Sequence, residues 1–187
     1  MRRTESRIFP DVNLIEPDLF TDNRGYFMES YSSENFQQLG VKASFVQDNH
    51  SYSIQAGTIR GLHYQLPPTA QAKLVRVLQG AVFDVIVDVR ENSKTFGNWE
   101  SFILTADNHR QLFVPHGFAH GFCTLVPSTH VLYKVDAYYH PESEAGILWS
   151  DPRLDIPWPT SSPTLSERDL THPILSGAKR FCKEFRE

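Results

Sequence analysis

Apolar and β-branched residues fall in short runs through the middle of the chain, each closed by a turn-forming cluster. Lys73–Leu78 and Ala81–Val89 are two such runs around Gln79-Gly80, a pattern that predicts a β-hairpin. Ser101–Leu104, Gln111–Val114 and Val131–Val135 continue the series, with Glu91–Lys94 and Thr105–Asn108 as turns between runs. Short strands at this spacing predict an all-β antiparallel sandwich or barrel rather than a βαβ architecture. Helix is scarce. One short helix is predicted over Glu34–Leu39, capped by Ser32 or Ser33 and stopped by Gly40, and a further turn of helix around Ser166–Asp169. From about residue 152 the chain is rich in proline (Pro152, Pro157, Pro159, Pro163, Pro173), which predicts an extension wrapping the surface and ending near Phe185. No repeat or linker divides the sequence, so residues 1–187 read as one domain.

Strand parity assigns side chains to faces. Phe83, Val85, Val87 and Val89 point one way; Asp84, Ile86 and Asp88 point the other, toward either solvent or the polar lining of a small barrel. Tyr133 shares its face with Val131 and Val135, where a tyrosine is ordinarily a core residue whose hydroxyl has found a partner.

Composition narrows the function classes. The chain of 187 residues is 40% hydrophobic and carries 13 phenylalanines, enough for a core without disulfide staples. A net charge of −4 argues against a nucleic-acid binder, which shows a basic face. Cys123 and Cys182 form neither a CxxC pair nor a disulfide framework and read as free thiols in a reducing compartment. The first residues lack the apolar stretch of a secretory signal, and no apolar run is long enough to span a bilayer, so a cytoplasmic protein without membrane association is expected.

Two segments carry the candidate chemistry. The first is Gly57–Gln65, with Arg60, His63 and then Pro67-Pro68 and Lys73; the second is Pro115–Phe122, with His116 and His120. In layout they resemble the paired motifs of the cupin superfamily, an HxH-type segment and a PxGxxH segment that together gather metal ligands in its metal-binding members. Here Gln65 replaces the second histidine, leaving His63 and His120, and two imidazoles alone make a poor transition-metal site. A metal-dependent oxygenase of that superfamily is therefore disfavoured. The remaining inventory suits proton abstraction beside a carbonyl. An ordinary imidazole is mostly unprotonated at neutral pH, so His63 can act as a base, steadied by a carboxylate on its other nitrogen. Lys73 can hold enolate charge, and Tyr133 can return a proton from the opposite side. No P-loop or GxGxxG is present, so phosphates fall to side chains, with Arg24 and Arg60 as candidates.

Six segments occur in order: Asp22–Glu29 (DNRGYFME), Phe45–Ser51 (FVQDNHS), Arg60–Gln65 (RGLHYQ), Lys73–Val77 (KLVRV), Pro115–Phe122 (PHGFAHGF) and Leu165–Asp169 (LSERD). Together they resemble the dTDP-4-dehydrorhamnose 3,5-epimerase family, over a span from about Phe9 to Asp169. The resemblance implies a cupin-type antiparallel β-barrel (jelly roll) and epimerisation of a dTDP-linked 4-keto-6-deoxy sugar without any cofactor or metal. It implies His63 as base, Asp169 as its carboxylate partner, Tyr133 as proton donor and Lys73 beside the keto oxygen. Arg24, Glu29, Gln47, Asp48, Asn49, Arg60, His120, Glu144 and Arg168 match positions lining the nucleotide-sugar site, with Phe27 and Tyr138 packing on the thymine or sugar. It further implies a homodimer with exchanged N-terminal strands, so that Arg24–Glu29 serves the neighbouring site. Arg168 stands where family members often carry lysine. Single-position relatives acting on C3 or C5 alone share His63, Lys73 and Tyr133, and the motifs do not separate them. A non-catalytic sugar-nucleotide binding barrel is the remaining alternative, and it has no need of a base opposite an acid.

Overall fold

The computed structural model describes residues 1–182, so the expected chain end at Phe185 lies outside the described residues. In chain order come β1 (Arg2–Glu5), β2 (Asn13–Glu16), β3 (Phe20–Asp22), β4 (Gly25–Phe27) and the helix α1 (Ser33–Gln38). Then follow β5 (Gln47–Ser53), β6 (Ile59–Gln65), β7 (Lys73–Gln79), β8 (Ala81–Asp88) and β9 (Trp99–Thr105). The series ends with β10 (Gln111–Val114), β11 (Phe118–Thr124), β12 (Thr129–Val135) and β13 (Glu144–Gly146). The strands build two antiparallel sheets, ordered β1-β2-β10-β7-β12-β5 and β13-β6-β11-β8-β9, with β3 and β4 as a separate pair. This is the expected all-β jelly-roll architecture. Among the described strands neither sheet closes on itself: β1 and β5 edge one, β13 and β9 the other.

The hairpin predicted around Gly80 does not form. β7 pairs with β10 and β12, whereas β8 pairs with β11 and β9 in the other sheet. Only Gly80 separates the two strands, one residue fewer than a tight hairpin turn requires. At φ +84° it turns the chain from one sheet into the other, and a Cβ there would collide with Thr129.

Each sheet is covered on both faces, which is why its central strands read as continuous apolar runs. Between the sheets, Val75, Val77 and Val131 meet Val82, Ile86, Phe118 and Phe122. Behind the six-stranded sheet, Ile15, Leu74 and Phe113 are covered by Phe36 of α1 and by Val41. Behind the five-stranded sheet, Leu62, Val85, Val87 and Ala119 are covered by Leu154, Ile156, Leu175 and Phe181. The proline-rich segment thus wraps one sheet as expected. Asp84 and Asp88 are fully buried, so the solvent alternative for that face does not hold. Asp88 is satisfied by Arg90, Ser93 and Thr95, and Asp84 by His120.

Helix α1 forms as its caps predict, with Asn35 N donating to Ser32 Oγ at 3.4 Å. Ser166–Asp169 starts a turn with the same cap geometry, Asp169 N donating to Ser166 Oγ at 3.1 Å and Leu170 N to Ser166 O at 3.3 Å, but the turn is not continued into a helix and Pro173 follows. The β3–β4 pair stands apart, leaving Phe20 and Phe27 64% and 70% exposed. Among the described residues no helix is long and apolar enough to cross a membrane.

Candidate active site

The two sheets bring their chemistry together at one cavity. β6 of the five-stranded sheet presents His63; β7 and β12 of the six-stranded sheet present Lys73 and Tyr133. These three, with Gln47, Asn49, Gln71, Tyr139 and Glu144, line a cavity of ≈130 Å³. Register fixes the neighbours: Tyr133 lies opposite Asn49 on β5, and His63 lies opposite His120 on β11 and Gly146 on β13.

His63 is half-buried, and its Nε2 is 2.6 Å from Oδ1 of the buried Asp169. Ser166 Oγ donates to the other carboxylate oxygen at 2.9 Å. Burial pushes the Asp169 carboxyl up, but hydrogen bonds and charge from His63, Ser166 and His172 outweigh it and hold the group below its ordinary value. The anionic carboxylate therefore keeps the proton on His63 Nε2 and leaves Nδ1 as the basic nitrogen.

Lys73 is 8% exposed, and its Nζ donates to the backbone carbonyl of His63 at 3.1 Å. Burial pulls its pKa down to about 8, against the opposing charges of Asp84 and Glu144. The Tyr133 phenol is pushed up by burial and by Glu144, with Arg60 working the other way, so it stays protonated at neutral pH.

The other expected residues divide into groups. Gln47, Asn49 and Glu144 line the cavity. Arg168 is bonded to Glu144, which also accepts from Tyr139 at 2.5 Å. Arg60 lines a neighbouring cleft of ≈310 Å³ further along β5 and β6, and donates to Ser53 Oγ and Tyr52 O. His120 is buried beneath the cavity rather than lining it, with Nε2 3.0 Å from both oxygens of Asp84. Burial holds His120 below the ordinary imidazole value despite Asp84. Asp48 points to the outer side of β5, where it pairs with Lys134 at 2.9 Å; alternation along the strand gives the cavity to Gln47 and Asn49 instead. Tyr138 is 69% exposed, and its neighbour Tyr139 takes the cavity position. Arg24, Phe27 and Glu29 are absent from the cavity of their own chain: Arg24 pairs with Asp22 on the exposed hairpin, and Glu29 accepts from Asn35 at 2.5 Å.

Sequence reasoning missed several participants. Asp84 was placed only as a possible lining residue, Ser166 was given no role within LSERD, and Tyr139, Gln71 and His172 carried no motif. Gln65 is buried and ties loops: its amide donates to Thr69 O at 2.6 Å and its oxygen accepts from His140 N at 2.7 Å. The ligand count for a metal also changes, because Asp169 and His172 both lie near His63. Ligand atoms of these three fall within 4.8 Å of one another, so this is where the described residues could hold a metal ion. The His63–Asp169 hydrogen bond already engages two of those atoms, a dyad suited to proton transfer.

Comparison with known proteins points to one family. The family model described as dTDP-4-dehydrorhamnose 3,5-epimerase matches residues 6–177. The dTDP-4-dehydrorhamnose 3,5-epimerase of Shigella flexneri is 52% identical over 162 residues, covering 86% of this chain and 89% of its own. The crystal structure of the Bacillus anthracis dTDP-4-dehydrorhamnose 3,5-epimerase with TDP and PPi bound superposes with a TM-score of 0.90 at 57% identity, over 92% of this chain and 98% of that one. A Legionella pneumophila dTDP-6-deoxy-D-glucose-3,5-epimerase in complex with dTDP-4-keto-L-rhamnose gives 0.89 at 44% identity, over 94% and 93%.

Proposed function

This chain belongs to the dTDP-4-dehydrorhamnose 3,5-epimerase family, and we propose that it inverts C3 and C5 of dTDP-4-dehydro-6-deoxy-D-glucose to give dTDP-4-dehydro-L-rhamnose. One observation carries the mechanism: His63 enters the cavity from one sheet and Tyr133 from the other, with Lys73 hydrogen-bonded to the backbone of His63. Epimerisation needs a base and an acid on opposite faces of a planar carbanion, and two facing sheets supply that arrangement.

The C4 ketone acidifies the hydrogens at C3 and C5. His63 Nδ1 takes one of them, and Asp169 stabilises the resulting imidazolium. The electron pair moves onto the C4 oxygen, where the buried Lys73 ammonium meets the developing charge. The Tyr133 hydroxyl then returns a proton to the opposite face, and exchange with solvent restores both groups before the second carbon reacts. The substrate's own carbonyl is the electron sink, so the cycle requires no cofactor.

The ≈130 Å³ cavity fits the sugar end of such a substrate, since ligand pockets for larger molecules run to several hundred Å³. The nucleotide therefore extends past Arg60 and beyond the single chain. We assign the rest of its site to a second copy: the exposed β3–β4 hairpin carries Arg24 and Phe27, pairs with no other strand among the described residues, and suits exchange between two subunits. Asp84 and His120 act from beneath, where the Asp84 charge favours the protonated form of Lys73.

The test is incubation with dTDP-4-dehydro-6-deoxy-D-glucose and an NADPH-dependent 4-ketoreductase that traps the product. dTDP-L-rhamnose supports the double inversion; a sugar inverted at one carbon only would assign the chain to a single-position reaction.

A further inference from the structure

His172 belongs to no motif and has no role in the steps above, yet it stands against the catalytic dyad. Its Nε2 is buried and has no hydrogen-bond partner among the described residues. Asp169 Oδ1, the same oxygen that bonds His63 Nε2, lies 3.9 Å from it. The His63 and His172 rings meet edge to face, with centroids 5.3 Å apart and planes at 70°. Room for the second ring is built into β13: a Cβ on Gly146, the register partner of His63, would lie 2.5 Å from His172 Cε1 and 2.6 Å from its Nε2. Glycine at this strand position is accounted for by the imidazole pressed against it.

We propose that His172 is a positioning residue for the His63–Asp169 pair, packing against the base and sharing its carboxylate oxygen. This rests on the epimerase reading of the site. A buried polar atom without a partner is costly, and a carboxylate is the acceptor within a small ring rotation. The carboxylate favours the tautomer with hydrogen on Nε2, which makes His172 a neutral donor. Four titratable or charged groups face it: His63 on β6, Glu144 on β13, and Arg168 and Asp169 from its own segment. Burial and the His63 charge hold His172 below the ordinary imidazole value, so it stays neutral while His63 takes up the substrate proton. Two donors on one oxygen weaken the pull of Asp169 on the His63 proton. Without His172, the carboxylate serves His63 alone and holds it protonated to higher pH.

The experiment compares wild type with His172→Phe, which keeps a ring but removes the donor, and His172→Gln, which restores an N–H near the same place. Turnover and the NMR titration of the His63 ring are followed between about pH 5 and 8. His172→Phe is expected to raise the acid limb of kcat and the His63 titration midpoint by roughly half to one pH unit, with KM unchanged. His172→Gln is expected to return both toward wild type. Unchanged midpoints in His172→Phe, or equal changes in both variants tracking a lowered melting temperature, overturn the proposal. Where His172→Phe does not fold, the rule rests on His172→Gln matching the wild-type midpoint while His172→Ala raises it. A wild-type protein inert toward the nucleotide sugar would overturn the functional reading instead, and the His63 titration would still decide the role of His172.

Discussion

The Lys73 ammonium donates a hydrogen bond to the backbone carbonyl of His63, 3.1 Å away across the gap between two sheets. The group that would stabilise the enolate is thereby held in fixed relation to the strand that carries the base. Such a link suits joint action on one carbonyl compound, since electrostatic stabilisation depends on donors placed before charge develops.

Burying that ammonium has a cost that pH exposes. The Lys73 pKa falls from 10.5 in the unfolded chain to about 8 in the fold. Between those values the unfolded state binds more protons, so this residue's effect on stability improves as pH rises from about 8 and worsens as it falls. Lys73→Met should therefore melt higher than wild type at pH 7, by up to about 3 kcal/mol in stability, while losing turnover. Melting curves should show the gain shrinking above pH 8; a variant less stable at neutral pH would contradict this.

Asp169 works with the opposite sign. Its folded pKa is lowered from 3.8, so its contribution to stability is complete above that value and is lost as pH falls through the folded pKa. Asp169→Asn should flatten the acid side of the stability profile below about pH 4. It should also reduce kcat on the order of a hundredfold or more, because the His63 tautomer is no longer fixed. Acid melts together with steady-state kinetics check both effects.

Tyr133→Phe separates abstraction from reprotonation. His63 and Lys73 remain, so loss of the substrate hydrogen to solvent should continue while inverted product falls steeply. Comparing hydrogen exchange in the recovered substrate with product yield measures the two steps; equal loss of both would remove Tyr133 from the acid role.

The exposed hairpin predicts complementation between subunits. If Arg24 serves the neighbour, mixing inactive Arg24→Ala and His63→Ala proteins creates dimers with one intact site, and activity should recover to about a quarter of wild type after random exchange. No recovery in mixtures shown by native mass spectrometry to contain heterodimers would return Arg24 to its own chain.

Much of this was legible in the sequence, and the failures have physical causes. Strand positions followed from β-branched runs, and the Ser32 cap and Gly40 stop placed α1 correctly. Partner choice was not legible at Gly80, because pairing of β7 and β8 with distant strands is decided by burial on both faces rather than by local turn chemistry. Asp48 shows a signal present but unused: alternation alone puts it on the face opposite Gln47 and Asn49. The resemblance named His63, Lys73, Tyr133 and Asp169, and the fold sets the first three around one cavity with Asp169 bonded to the base. His172 was invisible because its meaning lies in a glycine distant in sequence, Gly146, and in its approach to 3.9 Å of the carboxylate oxygen that bonds His63.

The central claim is that His63 removes hydrogen from both carbons flanking the ketone, and deuterium incorporation measures it most directly. Wild type and His63→Ala, with matched melting temperatures, would be incubated with dTDP-4-dehydro-6-deoxy-D-glucose in deuterium oxide and C3 and C5 followed by NMR. The account predicts deuterium at both carbons with wild type and none above the uncatalysed rate with His63→Ala. Equal incorporation by the two proteins would contradict it.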